Sequence, residues 1–164
     1  TASDFFEYIE ISDVNSQTLD VTSKLTRCDQ APSRARKLVR AGDVLISTVR
    51  PERKTIGIVP PHLDGSVCST GFAVLKCHQI DPTVLALLLQ SEFANGQILR
   101  NNIGIAYPAI PEECLLDVLL PISSDDLPAL AKLGQEVRTL KQKLFSESSS
   151  LREKVQSAMN LWAG

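Results

Sequence analysis

Apolar and polar residues alternate in short runs through the first two thirds of the chain, and then the period changes. Residues 5–11 alternate well enough for a strand, with a turn at Asp13-Val14-Asn15, and residues 18–25 read as a second strand. A polar loop over 28–33 leads into residues 34–40, a pattern open between a short helix and a strand. Ala41-Gly42-Asp43 is a turn, residues 44–49 are a β-rich run, and a proline-bounded basic loop, 50–54, precedes a strand over 55–59 that stops at Pro60-Pro61. Short strands follow near Val67 and over 72–76. Asp81 before Pro82 predicts a capped helix to about Gln90, and Ser91 caps a second one over 92–100, weakened by Gly96. Residues 103–110 form an apolar loop or short strand, Pro111-Glu-Glu opens one helical turn, and 115–120 read as a final buried strand.

From about Asp125 to Trp162 the steps become three and four. Leu130, Leu133, Val137, Leu140 and Leu144 make a heptad seam, which reaches Leu151, Val155, Ala158 and Trp162 if one extra step of four is inserted near Ser148. Such a helix spans about 57 Å at 1.5 Å per residue, too long for its stripe to be buried on a body of about 120 residues. It needs a partner helix. The fold class is therefore α+β (mixed α/β): a globular domain of short strands and helices over 1–123, then a long coiled-coil helix over 124–164.

Composition excludes more than it selects. The chain has 164 residues, 43% hydrophobic and 22% charged, which suits a globular domain with a real core. It has no apolar run long enough for a membrane span. Thr1-Ala-Ser-Asp4 shows neither an initiator Met nor a signal-peptide pattern, so residues upstream are expected. Cys28, Cys68, Cys77 and Cys114 are widely spaced and read as free thiols in a reducing cytoplasm. A metal site is not expected, because the adjacent Cys77 and His78 would point to opposite faces of a strand. The chain also lacks a dinucleotide fingerprint, a phosphate loop, a nucleophile elbow in Gly65–Gly71 and a methyltransferase loop of the Asn/Asp-Pro-Pro-aromatic type. The expectation is a non-enzyme without cofactor.

Charge supplies the positive signal. The net charge is −2, but residues 24–54 hold nine basic residues against three acidic ones, a net +6, while the remainder carries eight basic and sixteen acidic, −8. Arg50, Arg53 and Lys54 flank a proline-stiffened turn, suited to phosphate or base-edge contact. Arg34, Arg36 and Lys37 are either phosphate clamps or surface charges. Tyr107, before Pro108, faces a groove or plugs the core. Leu130, Leu133, Val137, Leu140, Leu144 and Leu151 are assigned to helix pairing.

The order of motifs resembles one family. Tyr8-Ile-Glu-Ile-Ser-Asp-Val-Asn15 is similar to the opening of specificity (S) subunits of type I restriction–modification systems. Ser33-Arg-Ala-Arg-Lys-Leu-Val-Arg-Ala-Gly-Asp-Val-Leu-Ile-Ser-Thr-Val-Arg-Pro51 is the strongest match. Cys68-Ser-Thr-Gly-Phe-Ala-Val-Leu75, the passage from Leu87 to Gly104 with Tyr107-Pro-Ala-Ile110, and Leu119-Leu-Pro-Ile122 follow in order. The resemblance implies a target-recognition domain, truncated at its N-terminus, that contacts double-stranded DNA, followed by a spacer helix. It also implies DNA methyltransferase (M) subunits, and a restriction (R) subunit, as partners. One recognition domain where the family has two implies a half-subunit that forms a homodimer through the helix, or the tail of a fused methyltransferase. The competing reading is a protein-interaction adaptor that uses the helix without reading DNA.

Overall fold

The computed structural model describes residues 4–102 and 108–162. The strands are β1 (Phe5–Ile9), β2 (Val14–Asn15), β3 (Asp20–Val21), β4 (Lys24–Arg27), β5 (Ala35–Leu38), β6 (Val44–Ser47), β7 (Ile56–Ile58), β8 (Val67–Ser69) and β9 (Phe72–Leu75). Helices α1 (Pro82–Gln90), α2 (Glu92–Leu99) and α3 (Leu127–Trp162) follow. The mixed α+β class expected from the sequence is what the chain adopts.

The strands form a four-stranded sheet in the order β4-β1-β8-β5, a three-stranded sheet β7-β6-β9, and the β2-β3 hairpin. Strand β6 explains the layering. All four of its residues are buried, so Val44, Leu45 and Ile46 read as an apolar run rather than an alternation. Its period of two sends Val44 and Ile46 into a cluster with Ile56, Ile58, Ala86, Leu89 and Ile98, under α1 and α2. Leu45 goes the other way, to Ile9, Val39, Cys68 and Phe72 beneath the four-stranded sheet. The smaller sheet thus separates two cores.

Asp81 caps α1 by accepting from the backbone N–H of Thr83 at 2.8 Å and of Val84 at 3.3 Å, and Ser91 caps α2 by accepting from Ala94 N at 3.2 Å. Helix α3 lies on α1 through a small residue. A Cβ at the buried Gly134 would stand 3.0 Å from Val84 Cγ2. Around that contact, Gln135 Nε2 donates to Thr83 Oγ1 at 3.0 Å, Arg138 pairs with Asp20, and Lys141 Nζ donates to Gln90 Oε1 at 3.2 Å.

Several expectations are corrected. The reading of 18–25 as one strand fails, because the chain breaks between β3 and β4 and β4 continues to Arg27. The segment 34–40, left open between helix and strand, holds the strand β5 at Ala35–Leu38, since it pairs with β8. The final buried strand over 115–120 does not form. Glu112–Asp117 is a 3-10 helix, and Leu116 and Leu119 are exposed. An apolar run there was packed on one residue, the buried Leu115, and not along a strand face. Helix α2 ends at the cap residue Arg100, and Asn101 Nδ2 donates back to Gln97 O at 3.3 Å.

Candidate nucleic-acid interface

Backbone hydrogen bonds gather most of the basic candidates at one end of the two sheets. Thr70 N donates to Arg34 O at 2.9 Å, and Thr48 N donates to the next carbonyl, Gly71 O, at 2.9 Å. Two residues on, Arg50 N donates to Pro108 O at 2.8 Å, while Ile110 N donates to Thr48 O at 2.9 Å. The segments around Arg34, Thr70, Arg50 and Pro108 are therefore stitched together edge to edge.

Within that end, the turn after β6 is held in an unusual conformation. Arg50 (φ 51°) and Lys54 (φ 50°) are both left-handed, on either side of a 3-10 turn, Pro51–Arg53. A non-glycine residue there costs about 1–2 kcal/mol, so the surroundings must impose it. They do: Pro51 is buried, Arg50 N is bonded to Pro108 O, and Lys54 Nζ is paired with Glu92 Oε1 at the start of α2. The side chains of Arg50 and Arg53 are left exposed, and neither makes a hydrogen bond or ion pair among the described residues.

Strand β5 is the edge of its sheet, and its pairing with β8 slips by one between Ala35 and Lys37. Arg36 is the extra residue. A bulge turns such a side chain outward, and Arg36 is exposed, its Nε donating to Ser33 O at 2.8 Å. Arg34 is exposed as well.

The two lysines behave differently. Lys37 Nζ donates to Phe72 O at 2.6 Å and pairs with Glu112 Oε1 at 2.7 Å, with only 24% of its side chain exposed. Lys54 is bound to Glu92 and is 26% exposed. Their charges are largely cancelled within the fold, whereas the four arginines are free to meet an anion. Sequence reasoning missed Glu92 and Glu112, which lie 38 and 75 residues from the lysines they neutralise, beyond any local pattern. Tyr107 lies outside the described residues.

Among the described residues no group of three or more His, Cys, Asp or Glu side chains could hold a metal ion. Burial pushes the thiols of Cys68 and Cys77 up to about 11, so both stay protonated at neutral pH. Among the described residues no helix is long and apolar enough to cross a membrane.

The stripe residues of α3 face, for the most part, away from the globular body. Leu133, Leu140, Leu144, Leu151 and Val155 are each between 52% and 65% exposed, while Leu130 and Val137 are half-buried. At 100° per residue, the stripe lies roughly 100° around the helix from the face of Leu127, Ala131, Gly134, Arg138 and Lys141 that meets the body. The helix has two faces with two tasks.

Comparison with known proteins places this architecture in a class. No family model matches the chain, and no curated protein does. Solved structures do. The HsdS subunit from Thermoanaerobacter tengcongensis is 34% identical, with a TM-score of 0.73 over 96% of this chain and 40% of that one. A chain from a structure of the type I R-M system, described for its complex assembly and conformational transition, is 33% identical, with a TM-score of 0.72 over 94% of this chain and 42% of that one. The chain thus has the fold of a type I restriction–modification specificity subunit, over rather less than half the length of those it matches. The resemblance carried by the Tyr8, Ser33–Pro51 and Cys68–Leu75 motifs is borne out by these two structures, which match nearly the whole of this chain.

Proposed function

We propose that the chain reads a sequence in double-stranded DNA as the non-catalytic specificity module of a type I restriction–modification complex in the cytoplasm. The observation that carries the reading is the set of four exposed arginines, Arg34, Arg36, Arg50 and Arg53, held at one end by a backbone that is fixed before any ligand arrives. Rigid arginine forks suit bidentate contact with guanine edges and with phosphates, and pre-organisation lowers the cost of binding. Residues 1–123 are taken as the recognition domain and 124–164 as the spacer. The exposed stripe of α3 pairs with a second copy or docks methyltransferase and restriction subunits, which would supply all chemistry.

Binding of the full chain to duplex DNA, titrated against salt, tests this. Four phosphate-competent arginines predict a log–log slope of about −3 to −4 per chain, since each neutralised phosphate contributes about 0.9. The two internally paired lysines are not expected to add to it. Arg50→Ala should cost about 1–3 kcal/mol on the preferred duplex and relax discrimination at one position, and Lys54→Ala, by loosening the turn that aims Arg50, should relax discrimination at that same position by a smaller amount. An adaptor that uses only the exposed stripe of α3 would show no salt-dependent binding at all.

A further inference from the structure

Among the described residues, the buried polar side chains are nearly all used by the fold. Thr18, Asp43, Ser47, Thr48, Ser69 and Thr83 each make a side-chain hydrogen bond. Asn95 does not. It is only 7% exposed, and its amide has no protein partner among the described residues. No side-chain nitrogen or oxygen there is both sealed from solvent and unpartnered. The amide of Asn95 therefore reaches the surface, although the rest of the residue is buried. Ser66, the other exception, lies at the end of β8 away from Thr70 and the arginines.

The place of Asn95 on α2 says where its amide emerges. Ala94 and Ile98 are buried with it against the body. At 100° per residue, Asn95 stands about 60° around the helix from Glu92, on the border between the buried side and the side from which Glu92 holds Lys54. Helix α2 also packs on the Pro51–Arg53 turn. Asn95 thus lies in the seam between α2 and that turn, at the end that carries Arg50 and Arg53. Gln97, about 140° from Glu92 on the other flank, shows what an amide does when the fold needs it. It donates to Leu119 O at 2.9 Å and accepts from Leu119 N at 3.0 Å.

Nothing in the fold favours an amide at position 95. Asn is a poorer residue than Ala in a helix interior, and burying a polar group without a partner is costly. A local rule broken with no structural return marks a functional position. The buried neck of the side chain also fixes its rotamer before a ligand arrives, which lowers the cost of binding.

We infer that Asn95 is a specificity-determining residue whose amide reads the edge of one adenine in the major groove. The inference rests on the DNA-reading proposal above and adds a base class to it. An amide presents one acceptor and a pair of donors on one plane. It donates to adenine N7 and accepts from the adenine N6 amino group, a pairing that the arginines cannot make because they have no acceptor.

The test uses the full chain and a duplex that it selects from a random library. Asn95→Ala should bind that duplex about tenfold more weakly and lose discrimination at one A·T pair. Binding to random duplex should be unchanged, and the urea midpoint should match or exceed the parent's. Replacing adenines one at a time by 7-deazaadenine, which lacks the N7 acceptor, identifies the base. At one position the analogue should weaken the parent about tenfold and leave Asn95→Ala unaffected, while Arg50→Ala remains sensitive there. If every adenine analogue weakens both chains equally, or if Asn95→Ala lowers the urea midpoint and weakens all duplexes alike, the amide serves the fold. The inference then falls while DNA reading by the arginines stands. Selection that enriches no sequence overturns both.

Discussion

Gly57 shows how much can rest on one missing methyl group. It sits on β7 beneath the β2-β3 hairpin, where a Cβ would come within 2.6 Å of Val21 Cγ2 and 2.8 Å of Val14 Cγ1. Neither valine can withdraw without lifting its strand. Gly57→Ala should therefore destabilise the chain by about 1–3 kcal/mol, the range for overpacking a closed core, seen as a lower urea midpoint. The buried thiols give a pH signature. Cys68 and Cys77 hold their protons to about 11 in the folded chain against an ordinary value of 9.0, so the unfolded chain releases them first. Stability is unaffected below about pH 9 and falls between 9 and 11. Cys68→Ala should lower stability at pH 8 yet shrink the further loss between pH 8 and pH 10.5, read from urea midpoints at the two values. An unchanged loss would place the alkaline transition on other groups. At this scale the sequence showed which residues carry charge but not which charges are free. Arg34 and Lys37 look alike in the chain, and only the fold brings Glu112 to the lysine.

At the scale of elements, capped helices and turns were legible because their signals are local. Asp81-Pro82 and Ser91 mark α1 and α2 correctly, and the long helix follows from its period alone. What failed depended on distant partners. Whether residues 34–40 extend is decided by β8, some thirty residues on, and the run over 115–120 lacked a neighbouring strand to pair with. The slip that exposes Arg36 is equally invisible beforehand. Helix α3 allows a clean separation of its two faces. Gly134→Leu would drive a side chain into Val84 and should cost about 1–3 kcal/mol by prising α3 from α1, visible as faster hydrogen exchange in both helices. Leu133→Lys with Leu140→Lys changes only exposed positions and should yield monomers, with unfolding within about 0.5 kcal/mol of the parent chain when both are compared at concentrations too low to pair. If the leucine pair destabilises the fold more than the glycine substitution does, the faces have been assigned the wrong way round.

For the whole molecule, the same helix that packs on the globular body would set the distance between two such bodies in the proposed pair. The globular body rests on the first half of α3, and 36 residues span about 54 Å. An antiparallel pair would hold two arginine-bearing ends far apart and related by a two-fold axis, so the preferred duplex should be a split inverted repeat. The fold class, the helix and the family were readable in the chain. The recognised bases are not, because the contacts belong to side chains whose aim is set by the turn at 50–54 and the slip at Arg36. Selection from a random duplex library, followed by a salt titration of the enriched sequence, tests the central claim most directly. The account predicts enrichment of two half-sites in inverted orientation, bound about a thousandfold more tightly than random duplex, with a salt slope of about −7 from two copies. No enriched sequence and a flat response to salt would contradict it.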